Sequence, residues 1–333
     1  MTKFILNLVT FISLALLVII LILSILNYSN FSKTHFQNMP INNVSNSTCL
    51  NAKIDHLIVA DNCKNATFLI AGSSMSLNNI SGGIIQNRTN NIVYNLSSWA
   101  FKPKSTDYLI QSMNLEKIKY LLVAFNNVDF KGDFYQGSKE GITIDFKSTK
   151  YFINENIGKR IISILTKFNA KTFTADWTYR CKFQTVNNAQ ESIKFDKYGS
   201  VMLEHTGFKI NMDRWKEGYK DTIGFYNSFL HDVTILDSTC NKNKIRLILV
   251  YLPNRPLLLT KNDKSKNKMI SKILESKFGK RYLDMQNIEI PTRQFCDGMH
   301  MFRDGAESIT NSIIDSLVNK KLINIEKVIS KKK

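Results

Sequence analysis

The chain opens on its longest uninterrupted apolar run. Residues 4–26 are Phe, Ile, Leu, Val and Ala, broken only by Asn7, Thr10, Ser13 and Ser24, and they carry no charge. At about 1.5 Å per residue, a helix of this length crosses the ~30 Å hydrocarbon core of a bilayer. The run exceeds a usual signal-peptide core, and Leu26-Asn27-Tyr28-Ser29 offers no small-x-small cleavage site. An uncleaved signal anchor over residues 1–27 is therefore expected. Lys3 and the amino terminus would stay in the cytoplasm, with the rest of the chain outside it. Residues 28–65 are polar and rich in Asn and Ser, which reads as a stalk.

From residue 66 the pattern changes to short apolar runs separated by helical periodicity. Runs at 66–71, 91–96, 119–125, 245–252 and 282–285 have strand length, and helical stretches are expected at 106–115, 262–278 and 304–320. In the last of these Ile309, Ile313, Ile314 and Leu317 share one face. Near-continuous apolar strands alternating with helices predict an α/β domain over 66–318, its mainly parallel five-stranded sheet covered on both faces. Residues 130–240 fit this pattern less well. They hold an expected helix at 156–168 and a stretch with Trp177, Tyr179, Trp215 and Tyr219, read as an insertion that covers the site. A basic tail, 319–333, closes the chain.

The formal net charge is +18, from 45 Lys and Arg against 27 Asp and Glu. No zinc, homeodomain or RNA-recognition motif accompanies it and the lysines are scattered, so nucleic acid is not the expected partner. Two accounts remain for the charge: a surface facing an anionic membrane or acidic envelope polymer, and a compositional excess of Lys. In an oxidising compartment Cys49 with Cys63, and Cys181 with Cys240, are candidate disulfides; the alternative is that all are reduced, and Cys296 is left over either way.

Two short segments carry the candidate chemistry. Gly72-Ser73-Ser74 follows the first expected strand, a strand-to-helix turn that exposes a hydroxyl as a nucleophile requires. Asp297-Gly298-Met299-His300 precedes the last helix and supplies a base with the group that orients it. Sites in parallel sheets form beyond the carboxyl ends of the strands, where Ser74, Asn126, Asn127, Asp297 and His300 all fall. Each segment alone is also an ordinary capping motif. Cys296, Asp297 and His300 lack a second His or Cys cluster, so neither a metal nor any other cofactor is expected.

In these segments the chain resembles the SGNH/GDSL hydrolase superfamily, whose name comes from Ser, Gly, Asn and His in four sequence blocks. The resemblance implies a flavodoxin-like three-layer sandwich with Ser74 as nucleophile, His300 as base and Asp297 as its partner. The second block looks like Asn95 to Ala100, with Ala100 where the family has Gly, and the third looks like Ala124-Phe125-Asn126-Asn127, departing from Gly-x-Asn-Asp. Ala100 and either Asn127 or Asn126, with Asn127 slightly preferred, are thereby candidate oxyanion donors. Members with one anchor and a Gly-Ser-Ser nucleophile include D-alanyl transfer proteins of teichoic acids and polysaccharide O-acetyl transfer proteins. The implied activity is that of an envelope O-acyltransferase or esterase at the cell membrane. It would act on an anionic glycan or lipid, beside a separate multi-spanning membrane acyltransferase. A lipid or carboxyl esterase and a non-catalytic scaffold with the same fold are the alternatives.

Overall fold

In the computed structural model, the described residues are 2–28, 49, 53, 56–57, 61–111, 113, 115–130, 194–205, 223–259 and 261–323. Helix α1 is Thr2–Tyr28, and its stretch Lys3–Leu21 has a mean hydropathy of 2.9 and no buried part. It is long and apolar enough to cross a membrane, a test that a signal sequence also passes. After it come α2 (Asp61–Asn65), β1 (Phe68–Ala71), α3 (Ser74–Asn79), α4 (Gly82–Thr89) and β2 (Val93–Asn95). Next are α5 (Pro103–Gln111), β3 (Tyr120–Phe125), α6 (Ile223–Lys242) and β4 (Arg246–Tyr251). The chain continues through α7 (Lys261–Phe278), β5 (Tyr282–Asp284) and α8 (Arg303–Asn319).

The five strands form one sheet in the order β2-β1-β3-β4-β5, and every pairing is parallel. All five expected strands are present, each within about two residues of its expected ends. Side chains alternate across a strand, so both halves of each apolar run are buried on opposite faces. Leu69, Leu121, Val123, Phe125, Leu247, Leu249 and Tyr251 meet Leu109 and Ile110 of α5, Val233 and Leu236 of α6, and Ile270 and Leu274 of α7. Phe68, Ile70, Leu122, Ala124, Ile248 and Val250 meet Met75 of α3, Ile85 of α4, and Ile309, Ile313, Ile314 and Leu317 of α8. Burying one such Leu or Ile side chain stabilises by about 1.5–3 kcal/mol, so continuous burial on two faces holds the sheet between its helices.

Local signals fix the short helices between β1 and β2. Ser73 caps α3 by accepting the Met75 N–H, and Ser81 caps α4 by accepting from Ile84. Asn90 ends α4 in the left-handed region at φ +54°, a conformation that Asn tolerates better than most residues.

Four expectations need correction. Cys49 and Cys63 are not paired: Cys49 packs with Leu77, Val201, Cys296 and Phe302, whereas Cys63 sits in the core under α5 and α6. Cys240 is likewise a free buried thiol, and Cys181 lies outside the described residues. Burial pushes the Cys63 and Cys240 thiols up to about 12. The interval given to a stalk also contributes to the interior, because Cys49, Lys53, Leu57 and Cys63 are buried.

The interval 130–240 is not all insertion. Its end builds α6, the crossover helix from β3 to β4, whose Phe229, Val233, Leu236 and Cys240 are core. Residues 194–205 pack beside α3, Val201 N–H bonding Leu77 O at 3.1 Å. The helix expected at 156–168 and the aromatic residues Trp177, Tyr179, Trp215 and Tyr219 lie outside the described residues. Finally, the fold runs past 318, since Leu322 and Ile323 are buried against the α8 side of the sheet.

Candidate active site

The turn after β1 places the first functional side chain. Gly72 has φ +128°, a region closed to most side chains, and a Cβ there would stand 2.7 Å from Ser76 Oγ. The Gly72 carbonyl accepts Ser98 N–H at 3.2 Å, which draws the turn after β2 against it. Ser73 is buried, whereas Ser74, the first residue of α3, is partly open. The two neighbouring serines are therefore distinguished by environment: Ser73 caps the helix, and Ser74 offers its hydroxyl.

The segment after β5 meets it. His300 Nε2 lies 2.8 Å from Ser74 Oγ, and His300 Nδ1 lies 2.8 Å from Asp297 Oδ2. As a carboxylate, Asp297 only accepts, so Nδ1 carries the proton and Nε2 is left to accept from the Ser74 hydroxyl. Asp297 is fully buried, and its Oδ1 also receives the N–H groups of Met299 and His300, each at 2.7 Å. A carboxylate with three donors fixes the imidazole plane and tautomer. Residues 226 positions apart thus form one continuous hydrogen-bonded relay.

The remaining expected site residues divide. Ala100 adopts φ +53°, a left-handed conformation that favours Gly. Asn127 turns the other way from the site: its Nδ2 donates to Asn267 Oδ1 of α7 at 2.7 Å and its Oδ1 accepts the Tyr251 hydroxyl. That corrects the preference for Asn127. Asn127 begins the helical turn Asn127–Phe130 that follows β3, and its side chain is held against α7. Asn126 stays on the site edge. Its Oδ1 accepts Val128 N–H at 3.0 Å, and one Nδ2 hydrogen goes to Asn254 Oδ1 at 3.2 Å, leaving a second for another partner.

Two supporting residues were not expected. Asn79, fully buried, donates Nδ2 to Met299 O at 3.0 Å and accepts Met301 N–H on Oδ1 at 2.8 Å. It thereby pairs with the peptide groups on both sides of His300, as a strand would. Lys53 donates its buried Nζ to Asn95 O at 3.0 Å and to Gly199 O, and Asn95 in turn donates to Ser76 O at 2.9 Å. Nothing in the sequence marks Asn79, one of many asparagines. Lys53 carries no signal because a lysine is normally exposed.

Neither protein-family models nor curated proteins match this chain.

Proposed function

We propose that the chain is a serine O-acyltransferase or esterase of the SGNH type. It is anchored through α1 at the cell membrane and acts on an extracytoplasmic glycan or envelope polymer. The Ser74–His300–Asp297 relay at the carboxyl edge of a parallel sheet supports this reading. His300 takes the Ser74 proton as Oγ attacks the acyl carbon, and the imidazolium returns it to the departing alcohol. The acyl-enzyme then passes its acyl group to water or a sugar hydroxyl, activated by the same His300.

The amides of Ser74 and Ala100 and the second Asn126 Nδ2 hydrogen are the donors assigned to the oxyanion. Loss of one such donor raises the barrier by about 3 kcal/mol. A separate multi-spanning membrane protein would deliver the acyl group to the outer face.

The test is covalent labelling of the full-length protein by a fluorophosphonate probe. Parent protein should label, and Ser74→Ala and His300→Ala should not; equal labelling of Ser74→Ala sinks the assignment. Incubation with p-nitrophenyl acetate and an oligosaccharide then separates two activities. Acetylated sugar indicates transfer, and acetate alone indicates an esterase.

A further inference from the structure

The turn after β4 brings an arginine to the candidate site. Asn254 Oδ1 accepts one Asn126 Nδ2 hydrogen at 3.2 Å, and the next residue, Arg255, donates its N–H to Gly298 O at 3.2 Å. Gly298 lies between Asp297 and His300. Arg255 is thus fixed, by its own backbone and its neighbour's side chain, between the candidate oxyanion asparagine and the segment carrying the base.

Its side chain is buried without a structural role of the usual kind. Arg255 is 7% exposed, yet its Nε makes no hydrogen bond. No carboxylate pairs with the guanidinium among the described residues. Nη1 and Nη2 make no bond there either, but they are not enclosed as Nε is, so the forked end keeps access to solvent. An arginine that served only the fold would place its donors on protein oxygens, as Arg88 does on Asn311 and Asp315. A guanidinium stays charged at any working pH, and a buried charge without a counter-ion opposes folding. Its planar fork matches two oxygens of one phosphate or carboxylate.

The approach to it is positive as well. Helix α7 starts on the same sheet edge, where Asn267 accepts from Asn127 at 2.7 Å. Its opening turns carry Lys261, Lys264, Lys266 and Lys268 against Asp263. None of these lysines pairs with an acid among the described residues.

We propose that Arg255 binds a phosphate or carboxylate carried by the sugar that accepts the acyl group, and so selects anionic acceptors. This rests on the serine acyl-transfer reading given above. A flat lipid surface would meet the exposed lysines of α7, whereas a group that reaches Arg255 has to enter the site. Hydrolysis of a sugar ester reports the same contacts. Its first step, acylation of Ser74 with release of the sugar alcohol, is the reverse of acyl transfer to that sugar.

The experiment uses the full-length protein in detergent, with two readouts. Inorganic phosphate, against chloride at equal ionic strength, should raise the thermal midpoint more in the parent than in Arg255→Gln. Equal shifts overturn the proposal, because they mark a general salt effect. The second readout is kcat/KM for three O-acetylated disaccharides: neutral, uronate-bearing and phosphate-bearing. The parent should favour a charged ester by about tenfold or more, and in Arg255→Gln that ratio should fall to about 1. The favoured ester tells phosphate from carboxylate. No charged preference in the parent, or a parental ratio in Arg255→Gln, overturns the proposal. So does stabilisation by short-chain phosphatidylglycerol where neither charged sugar stabilises, which assigns the anion to lipid. If Arg255→Gln does not fold, Arg255→Lys decides: a point charge should keep only part of the ratio, and the full ratio overturns the fork. Ser74→Ala separates the two levels. It should lose hydrolysis and keep the phosphate shift, and parental hydrolysis there removes the serine assignment itself.

Discussion

Ser76 and Ala124 are joined twice: Ser76 Oγ donates to the Ala124 carbonyl at 2.8 Å and accepts the Ala124 N–H at 2.9 Å. The double bond falls where β1 has already ended at Ala71, so a side chain completes the edge of β3 that a strand would otherwise cover. Ser76→Ala leaves both peptide groups of Ala124 without that partner. It should cost about 2 kcal/mol in chemical denaturation and slow fluorophosphonate labelling of Ser74. Gly72→Ala, which drives a Cβ into Ser76 Oγ, should be worse on both counts. Parental stability in Ser76→Ala would remove this account of the turn.

Asn79 does for the His300 segment what Ser76 does for the nucleophile turn. Asn79→Ala strands the Met299 carbonyl and the Met301 N–H in a buried setting, at roughly 1–3 kcal/mol each. The expected outcome is a denaturation midpoint lowered by the equivalent of about 3 kcal/mol, with labelling of Ser74 nearly lost. A variant that loses stability but labels at the parental rate would show that Asn79 supports the fold and not the imidazole.

Ala100 holds a left-handed backbone at φ +53°, which costs a residue with a Cβ about 1 kcal/mol. Glycine relieves this, but the freer unfolded chain takes back about 0.4–1 kcal/mol. Ala100→Gly should therefore match the parent in thermal midpoint to within a few degrees and label equally, because the amide is unchanged. Ala100→Val should lower the midpoint clearly. A large labelling defect in Ala100→Gly would mean that the methyl group itself has a role.

Burial pulls the Lys53 ammonium down to about 7 from its ordinary 10.5. Between those values the unfolded chain holds the extra proton, so the Lys53 contribution to stability rises with pH by up to ~1.4 kcal/mol per unit. Denaturation of the parent and of Lys53→Met should therefore diverge in the parent's favour from pH 7 to pH 9. The thiols shifted by burial act alike in both proteins and cancel. A difference that stays constant across that range would contradict the shift.

The strands could be read from sequence because each apolar run is buried on both faces, and such runs have no other use in a chain this polar. Ser74, Asp297 and His300 were readable only as a combination, because each motif alone is an ordinary cap. The first directly follows β1, and the second lies in the segment after β5. Asn126 and Asn127 were not separable, since adjacency in sequence hides that one side chain faces the site edge and the other meets Asn267 and Tyr251. The segment 28–65, read as a stalk, misled for a related reason. Lys53 is polar by type but is held between Asn95 O and Gly199 O, partners 42 and 146 positions away. The cysteine pairing failed because a small apolar thiol packs in a core as readily as it forms a bridge.

The 226 residues between Ser74 and His300 set an order of events for the newly made chain. Ser74 is made with the start of α3, just after the first strand, and its partner imidazole follows only after β5, just ahead of α8. Until then the serine is an ordinary alcohol without a base. The contact between them therefore cannot form until both segments have been made and the sheet has brought them together.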